Sequence, residues 1–469
     1  MSNSNKNSLI ARLQKLKDEL EENRYTRKIV AGPLAIYRKL RYNESKQVSL
    51  EEPTPQLIPN IDYDNLPPDI KIKISVIYPT KNGGELFAYS LKMMINQLGI
   101  DDIEIIVVDS GSTDETVKIA KMYGAKVIEI RPEEFSHSYS RNLGAQQATG
   151  DYILFMTQDA VPTDDYWLYK FVMPLYNGSV VAASAMETQK EYGDLKYKID
   201  NYAHNKYLGV YDCDKIGKMP KKDDWQELRK NAQLSDISCI VKKDVFLKYK
   251  YRGDFAEDLR LGIDILRSGE RIALLSSVRS VHAHSRMASY YMKRNLVDIS
   301  TIKEILPQYP MEKYDYSTIL SMIKNGYVYI CGIIKEIKTI PENTEMIHVY
   351  EKMEEILEEE RISSMDIEGA FPYQDENMYE FLYYIFKQDW KDTKQTRICD
   401  EVKEYVLGPM KSYIFENEIC WNEQFSLIFE ETIYKTFCAY IGTHLAEYAY
   451  WHKNSDPIID VIAQLRKGV

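Results

Sequence analysis

The chain has 469 residues, of which 44% are hydrophobic and 28% are charged. This is the composition of an ordinary globular protein, and the length exceeds what one hydrophobic core serves, so two or three domains are expected. The formal net charge of −11 argues against nucleic acid as a partner.

Cysteine usage and the N-terminus predict the compartment. The six cysteines are scattered without a CxxC pair, which is typical of reduced thiols in a cytosolic protein. The N-terminal stretch MSNSNKNSL has no apolar signal region, and no run reaches 18 uninterrupted apolar residues. We therefore expect a cytoplasmic protein that is neither secreted nor membrane-spanning.

Residues 1–70 are predicted to form a helical extension followed by a linker. Four leucines recur at alternating four- and three-residue steps, as on one face of a helix: Leu9, Leu13, Leu16 and Leu20. Residues 24–46 carry seven basic residues against one acidic residue, interleaved with apolar ones. This pattern suits peripheral contact with an anionic membrane or, as we favour, a solvated helix with one face on the core. Five prolines within residues 51–68 predict a linker.

From residue 71 the chain alternates apolar runs with helical patterns. The predicted strands are Lys71–Tyr78, Ile103–Val108, Ala125–Ile130, Tyr152–Met156, Val180–Met186, Ile237–Val241 and Ile272–Leu275. This alternation with short loops predicts an α/β domain over residues 71–300, with a mostly parallel sheet flanked by helices.

Polar residues follow three of these strands: Pro79-Thr80, Asp109-Ser110 and Gln158-Asp159. The carboxyl ends of parallel strands share one edge of a sheet, where open α/β sheets bind nucleotides. No GxGxxG follows the first strand and no GxxxxGK[ST] occurs, so dinucleotide-binding and P-loop folds are disfavoured. Taken alone, Asp109 and Asp159 are better explained as turn residues.

Residues 301–469 are predicted to form a helical C-terminal domain. Within it, glutamates from Glu351 to Glu359 lie mostly opposite an apolar stripe, which is typical of a solvated helix face. The pattern leaves three roles open: homo-oligomerisation, capping of an acceptor groove, or binding of a partner enzyme.

Six motifs in residues 72–298 occur in an order that carries a family resemblance. They are Tyr78 to Asn82, Val107 to Asp114, Phe135-Ser136-His137 with Ser140 to Ala145, Gly150-Asp151-Tyr152, Thr157 to Pro162, and Glu257-Asp258 with His282-Ala283-His284. In these motifs the chain resembles the inverting family 2 glycosyltransferases of the GT-A fold. Within that family it is most similar to bacterial rhamnosyltransferases.

The resemblance implies sugar transfer from a nucleotide-sugar donor, expected to be dTDP-rhamnose, to a polysaccharide or lipid-linked saccharide acceptor. It implies donor binding by Pro79, Thr80, Asn82, Asp109, Ser110, Arg141, Asn142, Gln158 and Asp159. Arg141 is expected near the diphosphate. Asp258 is expected to be the general base, with Glu257 as its substitute. Both precede a helix, whose N-terminus is expected to keep their pKa values low.

The resemblance also implies a divalent metal ion, Mn²⁺ or Mg²⁺, bound by Asp159 beside the diphosphate. Thr157 stands where many relatives have a first acid, so one carboxylate is left to hold the ion. This Thr-Gln-Asp-Ala form is the one associated with rhamnosyltransferases. His284, or in second place His282, is expected to supply a further ligand, because imidazole suits Mn²⁺.

Two other interpretations stay open. A nucleotidyltransferase would need a glycine-rich, basic loop after the first strand, which Thr80 to Gly84 provides only loosely. A catalytically silent module that scaffolds a polysaccharide-assembly complex through its helical C-terminal region is favoured by Thr157. The presence of all the other site residues argues against it, namely Asp109, Arg141, Asp159, Asp258 and His284.

Overall fold

The structure, a computed structural model, describes residues 57–188, 194–358, 375–388, 396–453 and 456–466. They belong to one compact unit, Leu57–Val469. The predicted N-terminal helix and the basic segment 24–46 lie outside the described residues.

The first part of this unit alternates strands and helices, as the apolar periodicity predicts. Its elements are β1 (Ile70–Thr80), α1 (Gly84–Ile95), β2 (Ile100–Asp109), α2 (Thr116–Met122), β3 (Lys126–Glu129), a 3-10 turn (Pro132–Glu134), α3 (His137–Gln146), β4 (Tyr152–Met156), β5 (Val161–Pro162) and α4 (Trp167–Tyr176). There follow β6 (Ala182–Thr188), α5 (Leu195–Leu208), β7 (Lys215–Gly217), α6 (Trp225–Ala232), β8 (Ser238–Lys242), α7 (Lys243–Tyr249), α8 (Glu257–Arg267) and β9 (Ile272–Val281).

The strands form one sheet in the order β3-β2-β1-β4-β8-β6-β9-β5, with β7 paired to β9. The predicted α/β class is confirmed, and the first four strands of this order are parallel. The sheet as a whole is mixed rather than mostly parallel. Strand β8 runs antiparallel between β4 and β6, because the chain after α6 enters the sheet from the edge at which β4 ends.

One edge of the sheet therefore gathers the carboxyl ends of β1, β2, β4, β6 and β9 and the amino end of β8. The register sets these ends side by side: Thr80 lies opposite Asp109, Met156 opposite Ser238 and Thr188 opposite Val281. We call this the site edge. Loops that leave it bring their side chains into one region, although they are distant in sequence.

Both faces of the sheet are covered by apolar side chains. Phe87 of α1 and Trp167 of α4 belong to the cluster on one face. Phe155 of β4 and Phe246 of α7 belong to the cluster on the other. Burial on both sides fixes the strands and holds the site edge in place.

The C-terminal region is helical, as predicted. It comprises α9 (Ala288–Ile305), α10 (Tyr316–Ile337), α11 (Met346–Glu358), α12 (Glu376–Phe386), α13 (Thr396–Glu401), a π-helical turn (Val402–Leu407), α14 (Gly408–Glu416), α15 (Glu423–Trp451) and α16 (Pro457–Leu465). Helix α9 runs through residue 300, where we predict a domain boundary. It packs closely on α15, since a Cβ at Gly442 would lie 2.1 Å from the carbonyl oxygen of Met292.

Among the described helices, α10 has the length and apolar composition to cross a membrane. In the structure, 67% of its most apolar window is buried inside the protein. The core helix of a water-soluble protein meets the same criteria, so this is weak support for a membrane span.

Candidate active site

The turn after β2 is built around the carboxylate of Asp109, which is 2% exposed. Its Oδ2 accepts hydrogen bonds from Thr80 Oγ1 at 2.9 Å and Ser112 Oγ at 2.5 Å. Its Oδ1 accepts from the backbone N–H groups of Gly111 at 3.0 Å and Ser112 at 2.8 Å. Four donors therefore hold this carboxylate in one orientation. Its predicted contact with a donor nucleotide stays a prediction.

The loops that follow β1, β2 and β4 are tied together by side chains. Asn82 has a left-handed backbone (φ 49°), and its Oδ1 accepts from the N–H of Thr113 at 2.8 Å. Gln158 bonds the backbone of Lys81 in both directions, at 2.9 and 3.1 Å. Ser110 Oγ donates to the Thr80 carbonyl at 3.1 Å. With Pro79, which pairs with Val108 in the sheet, these residues form a hydrogen-bonded rim on the site edge.

Next to this rim, Asp159 lies with two histidines that follow β9. One ligand atom from each of Asp159, His282 and His284 lies within 4.8 Å of the others. Nε2 of His282 is 3.5 Å from Asp159 Oδ1, and Nδ1 of His284 is 3.7 Å from Oδ2. The three sequence-predicted metal ligands are thus brought together.

The geometry of His282 fits a metal site. The residue is 2% exposed, and its Nε2 is buried without a hydrogen-bond partner. A buried imidazole nitrogen left unbonded is costly, and one carboxylate with two imidazoles is a donor set that suits a divalent transition-metal ion such as Mn²⁺. The residues present therefore fit such an ion.

Two further residues orient the His282 ring from behind. Its Nδ1 lies 2.9 Å from Glu187 Oε2 and 2.8 Å from the Tyr197 hydroxyl. The Tyr197 hydroxyl also donates to Glu187 Oε2 at 2.5 Å. Because Nδ1 is engaged in these contacts, Nε2 faces Asp159. Carboxylates commonly orient metal-bound histidines in this way. Sequence reasoning missed both residues, which lie on β6 and α5 in no motif.

The charges in this cluster influence one another. Burial lowers the pKa of His282, but the nearby carboxylates of Asp159 and Glu187 outweigh burial and raise that pKa to about 9. Burial and the neighbouring His282 lower the pKa of His284 to about 4. Burial raises the pKa of Asp159, yet the two histidines outweigh it and hold that pKa well below its usual range. His282 must therefore lose a proton when a metal ion binds.

A second cluster forms where α3 and α8 meet the site edge. Arg141 is 2% exposed, and its Nη2 lies 2.6 Å from Asp236 Oδ2. Its Nη1 lies 3.1 Å from Glu257 Oε1. The guanidinium also lies over the ring of Tyr251, 5.9 Å from the centroid. Two carboxyl groups thus occupy Arg141, so contact with a diphosphate stays a prediction.

The two residues that begin α8 differ in exposure. Glu257 is buried, whereas Asp258 is half-buried. The N-cap residue before them, Ala256, has a left-handed backbone (φ 49°, ψ 33°), which is uncommon outside glycine and asparagine. Asp258 Oδ1 accepts from the N–H of Leu259 at 2.7 Å. Of the two, Asp258 is the more accessible to a substrate.

The predicted low pKa values of Glu257 and Asp258 are wrong. Burial and the nearby Asp236 raise the pKa of Glu257 to about 9 and that of Asp258 to about 7. The hydrogen bond from the first turn of α8 to Asp258 acts in the opposite direction but is outweighed. Burial raises the pKa of Asp236, yet Arg141 outweighs burial and lowers it. Asp236 therefore carries the charge beside Arg141, and Asp258 titrates near neutrality, as a general base should.

Sequence reasoning missed Asp236 as well. The residue stands two positions before β8, where no motif marks it. The loop after β4 reaches this point, since the N–H of Thr157 donates to the carbonyl of Ile237 at 3.2 Å. A backbone hydrogen bond thus links the cluster of Asp159, His282 and His284 to the cluster of Arg141, Asp236 and Glu257. Asn142 holds the backbone of Tyr251 beside them, at 2.9 and 3.1 Å.

The sequence profile of glycosyl transferase family 2 matches residues 75–240. That stretch is a family 2 glycosyl transferase domain. It contains the rim, Asp159, Arg141 and Asp236. Asp258, His282 and His284 lie beyond the matched stretch, on elements of the same sheet edge.

Curated relatives of this glycosyl transferase domain include two from Salmonella. The chain is 27% identical over 223 residues to O-antigen chain rhamnosyltransferase RfbN of Salmonella typhimurium, covering 46% of this chain and 67% of that one. It is also 27% identical to O-antigen chain rhamnosyltransferase WbaN of Salmonella anatum, covering 45% and 66%. The matched stretch thus spans about two thirds of each relative.

Among solved structures, the mannosyltransferase PcManGT from Pyrobaculum calidifontis, in complex with GDP-Man and Mn²⁺, aligns with 92% of this chain and 97% of its own. The TM-score is 0.40 and the sequence identity 13%.

Proposed function

We propose that this protein is an inverting glycosyltransferase that moves rhamnose from dTDP-rhamnose to a polysaccharide or lipid-linked saccharide acceptor. The observation that carries the proposal is the pairing, on one sheet edge, of a half-buried carboxylate that titrates near pH 7 with an Asp-His-His cluster. The rhamnosyl donor is supported by the likeness to two O-antigen rhamnosyltransferases. The Thr-Gln-Asp-Ala sequence at Thr157 supports it too.

Asp258 is the general base in this proposal. Its carboxylate takes the proton of the acceptor hydroxyl, whose oxygen then bonds to the anomeric carbon while the bond to the diphosphate oxygen breaks. Attack on the face opposite the leaving group inverts the anomeric centre. Glu257, protonated at neutral pH, is the less exposed of the two carboxyl groups and stays the second choice for the base. Arg141 and Asp236 balance the charge of this cluster.

Asp159, His282 and His284 are the residues that would hold Mn²⁺ or Mg²⁺. When bound, such an ion screens the charge that builds on the departing diphosphate. Glu187 and Tyr197 hold the His282 ring so that Nε2 faces Asp159. The burial of His282 also keeps water away from this ligand position.

The rim is the proposed binding site of the donor nucleotide. The residues proposed to contact it are Pro79, Thr80, Asn82, Asp109, Ser110 and Gln158. Its hydrogen bonds fix the side chains before the donor arrives, which reduces the entropy lost on binding. Arg141 and Asn142 stay proposed donor-binding residues, with Arg141 near the diphosphate. Arg141 is already paired with Asp236 and Glu257, and Asn142 with the Tyr251 backbone.

We also propose a cytoplasmic enzyme of polysaccharide biosynthesis that forms homo-oligomers and whose domains divide at residues 70 and 300. For residues 24–46, peripheral contact with the inner face of the plasma membrane is the second proposal, after a solvated helix. A silent scaffold is the second candidate, favoured by Thr157 where a first acid is expected.

The test is calorimetric binding of dTDP-rhamnose, UDP-glucose, UDP-galactose and GDP-mannose, each with Mn²⁺ and with a chelator. Tight, metal-dependent binding of dTDP-rhamnose alone is expected. Preference for another donor would keep the transferase and discard rhamnose. No binding of any donor would favour the scaffold. The anomeric configuration of the product, read by NMR coupling constants, tests inversion.

A further inference from the structure

The longest helix of the C-terminal region sends one charged side chain into the sheet-bearing part of the protein. Lys435 lies near the middle of α15, and its Nζ is 2.8 Å from Oδ2 of Asp194. Both side chains are 4% exposed. Lys435 also contacts Glu431 of its own helix at 2.6 Å, and that carboxylate is 45% exposed. The buried pair therefore joins two regions that are far apart in sequence.

Asp194 is the residue on which three helices converge. Its Oδ1 accepts from the N–H of Lys196 and so caps the first turn of α5. Its Oδ2 accepts from the Tyr291 hydroxyl of α9 at 3.0 Å, in addition to Lys435. A buried carboxylate that loses its cation is strongly destabilised where it stands. The position of the first turn of α5 thus depends on Lys435.

That turn carries Tyr197, the residue that touches His282. Its hydroxyl lies 2.8 Å from His282 Nδ1 and donates to Glu187. A shift of the turn by a fraction of an ångström changes this bond, because hydrogen bonds weaken quickly away from their preferred geometry.

We propose that the C-terminal helical region contributes to the metal site. Lys435 and Asp194 are positioning residues that set metal affinity through Tyr197 and His282. The inference rests on the proposed metal site and gives residues 301–469 a role in it. It makes affinity for a divalent ion depend on a residue of α15, outside the glycosyl transferase domain.

The experiment measures Mn²⁺ affinity by calorimetry on the full chain, without donor. Lys435→Met is expected to weaken binding about tenfold, the loss typical of disturbing groups behind a metal ligand. Tyr197→Phe is expected to weaken it by a similar factor. The double variant, Lys435→Met with Tyr197→Phe, is expected to bind Mn²⁺ no more weakly than the single variant with the lower affinity. Both changes interrupt the same series of contacts, so their effects should not add.

Two controls match these changes. Lys338→Met removes a cation that pairs with Glu430 at 3.3 Å. Glu430 is a buried residue of α15, as Lys435 is, and this pair lies away from α5. Tyr202→Phe removes a hydroxyl from α5 that bonds Glu416 instead of His282. Both are expected to keep wild-type Mn²⁺ affinity.

A double variant with an uncharged pair at positions 194 and 435 separates an effect on metal affinity from a loss of folding. Asp194→Asn with Lys435→Gln retains a donor and an acceptor of similar shape, so Mn²⁺ affinity within threefold of wild type is expected. Any of four results would overturn the inference. Two are an unchanged Mn²⁺ affinity in Lys435→Met and losses that multiply when Lys435→Met and Tyr197→Phe are combined. The others are a tenfold weaker affinity in Asp194→Asn with Lys435→Gln and an equal loss of affinity in Lys338→Met. Absence of Mn²⁺ binding by the wild type would overturn the metal site and the inference together.

Discussion

Replacing Asp236 by asparagine should move the pH dependence of the reaction without removing any group that touches substrate. After burial, the charge of Asp236 is the largest cause of the raised pKa of Asp258. In the wild type, kcat/KM should fall below an apparent pKa of about 7, as the base becomes protonated. Asparagine keeps the shape and can still accept from Arg141, so the fold should survive.

The size of the shift follows from the charges in the cluster. A neighbouring unit charge shifts a carboxyl pKa by roughly 1 to 3 units. The lower end applies here, because Glu257 becomes the ionised partner of Arg141 once Asp236 is neutral and so takes over part of the repulsion. With an apparent pKa about one unit lower, roughly half of the base is ionised at pH 6 instead of roughly a tenth. Relative to its plateau, activity at pH 6 should rise about fivefold.

The assay is initial-rate release of nucleoside diphosphate between pH 5 and 9, with each profile scaled to its own plateau. Asp264→Asn is the matched control, since Asp264 lies on the same helix and pairs with Arg252, away from Asp258. It should leave the profile unchanged. An acid limb that stays in place or moves to higher pH in Asp236→Asn would refute the charge argument. A limb that moves equally in the control would assign the shift to net charge alone.

Three further results are expected. Asp258→Asn should lower kcat by roughly 10² to 10⁴ with the melting temperature retained, and wild-type turnover would exclude Asp258 as the base. Gly442→Ala should destabilise the fold by about 2 kcal/mol in urea titrations, because its Cβ meets the Met292 carbonyl oxygen at 2.1 Å. Gly408→Ala, whose Cβ would lie 3.5 Å from the nearest atom, should not. Glu257 and Asp258 have raised pKa values, so the stability they contribute is full below about pH 4 and is lost as pH rises through about 7 and 9. Glu257→Gln with Asp258→Asn should flatten this fall in the free energy of unfolding, and an unchanged slope would contradict the assigned pKa directions.

What could be predicted from the sequence was local. The strand ends at Thr80, Asp109 and Asp159 are visible because apolar runs stop at polar turns, and the fold sets them side by side. Asp236, Glu187 and Tyr197 carry no local signal. Each reaches the site through long-range packing: Asp236 lies just before an antiparallel strand, Glu187 near a remote strand end and Tyr197 on an inserted helix.

The failed pKa prediction has the same origin. Placement of Glu257 and Asp258 at a helix start is a feature of neighbouring residues, and it favours ionisation. Burial and the carboxylate of Asp236 come from other parts of the chain, and they dominate. The two carboxyl groups that pair with the Arg141 guanidinium, Asp236 and Glu257, are likewise brought there by the fold, while its contact with a diphosphate stays a prediction.

The hydrogen bond from Thr157 to Ile237 has a consequence for how such an enzyme can change. In the proposed mechanism it fixes the spacing between the half of the site that removes a proton and the half that receives the leaving group, and it does so through peptide groups, which side-chain changes other than proline at position 157 leave in place. Side chains of the rim can therefore vary and select a different nucleotide or sugar while the line of attack is preserved. If the proposed mechanism holds, donor preference and reaction stereochemistry are separable traits of this architecture.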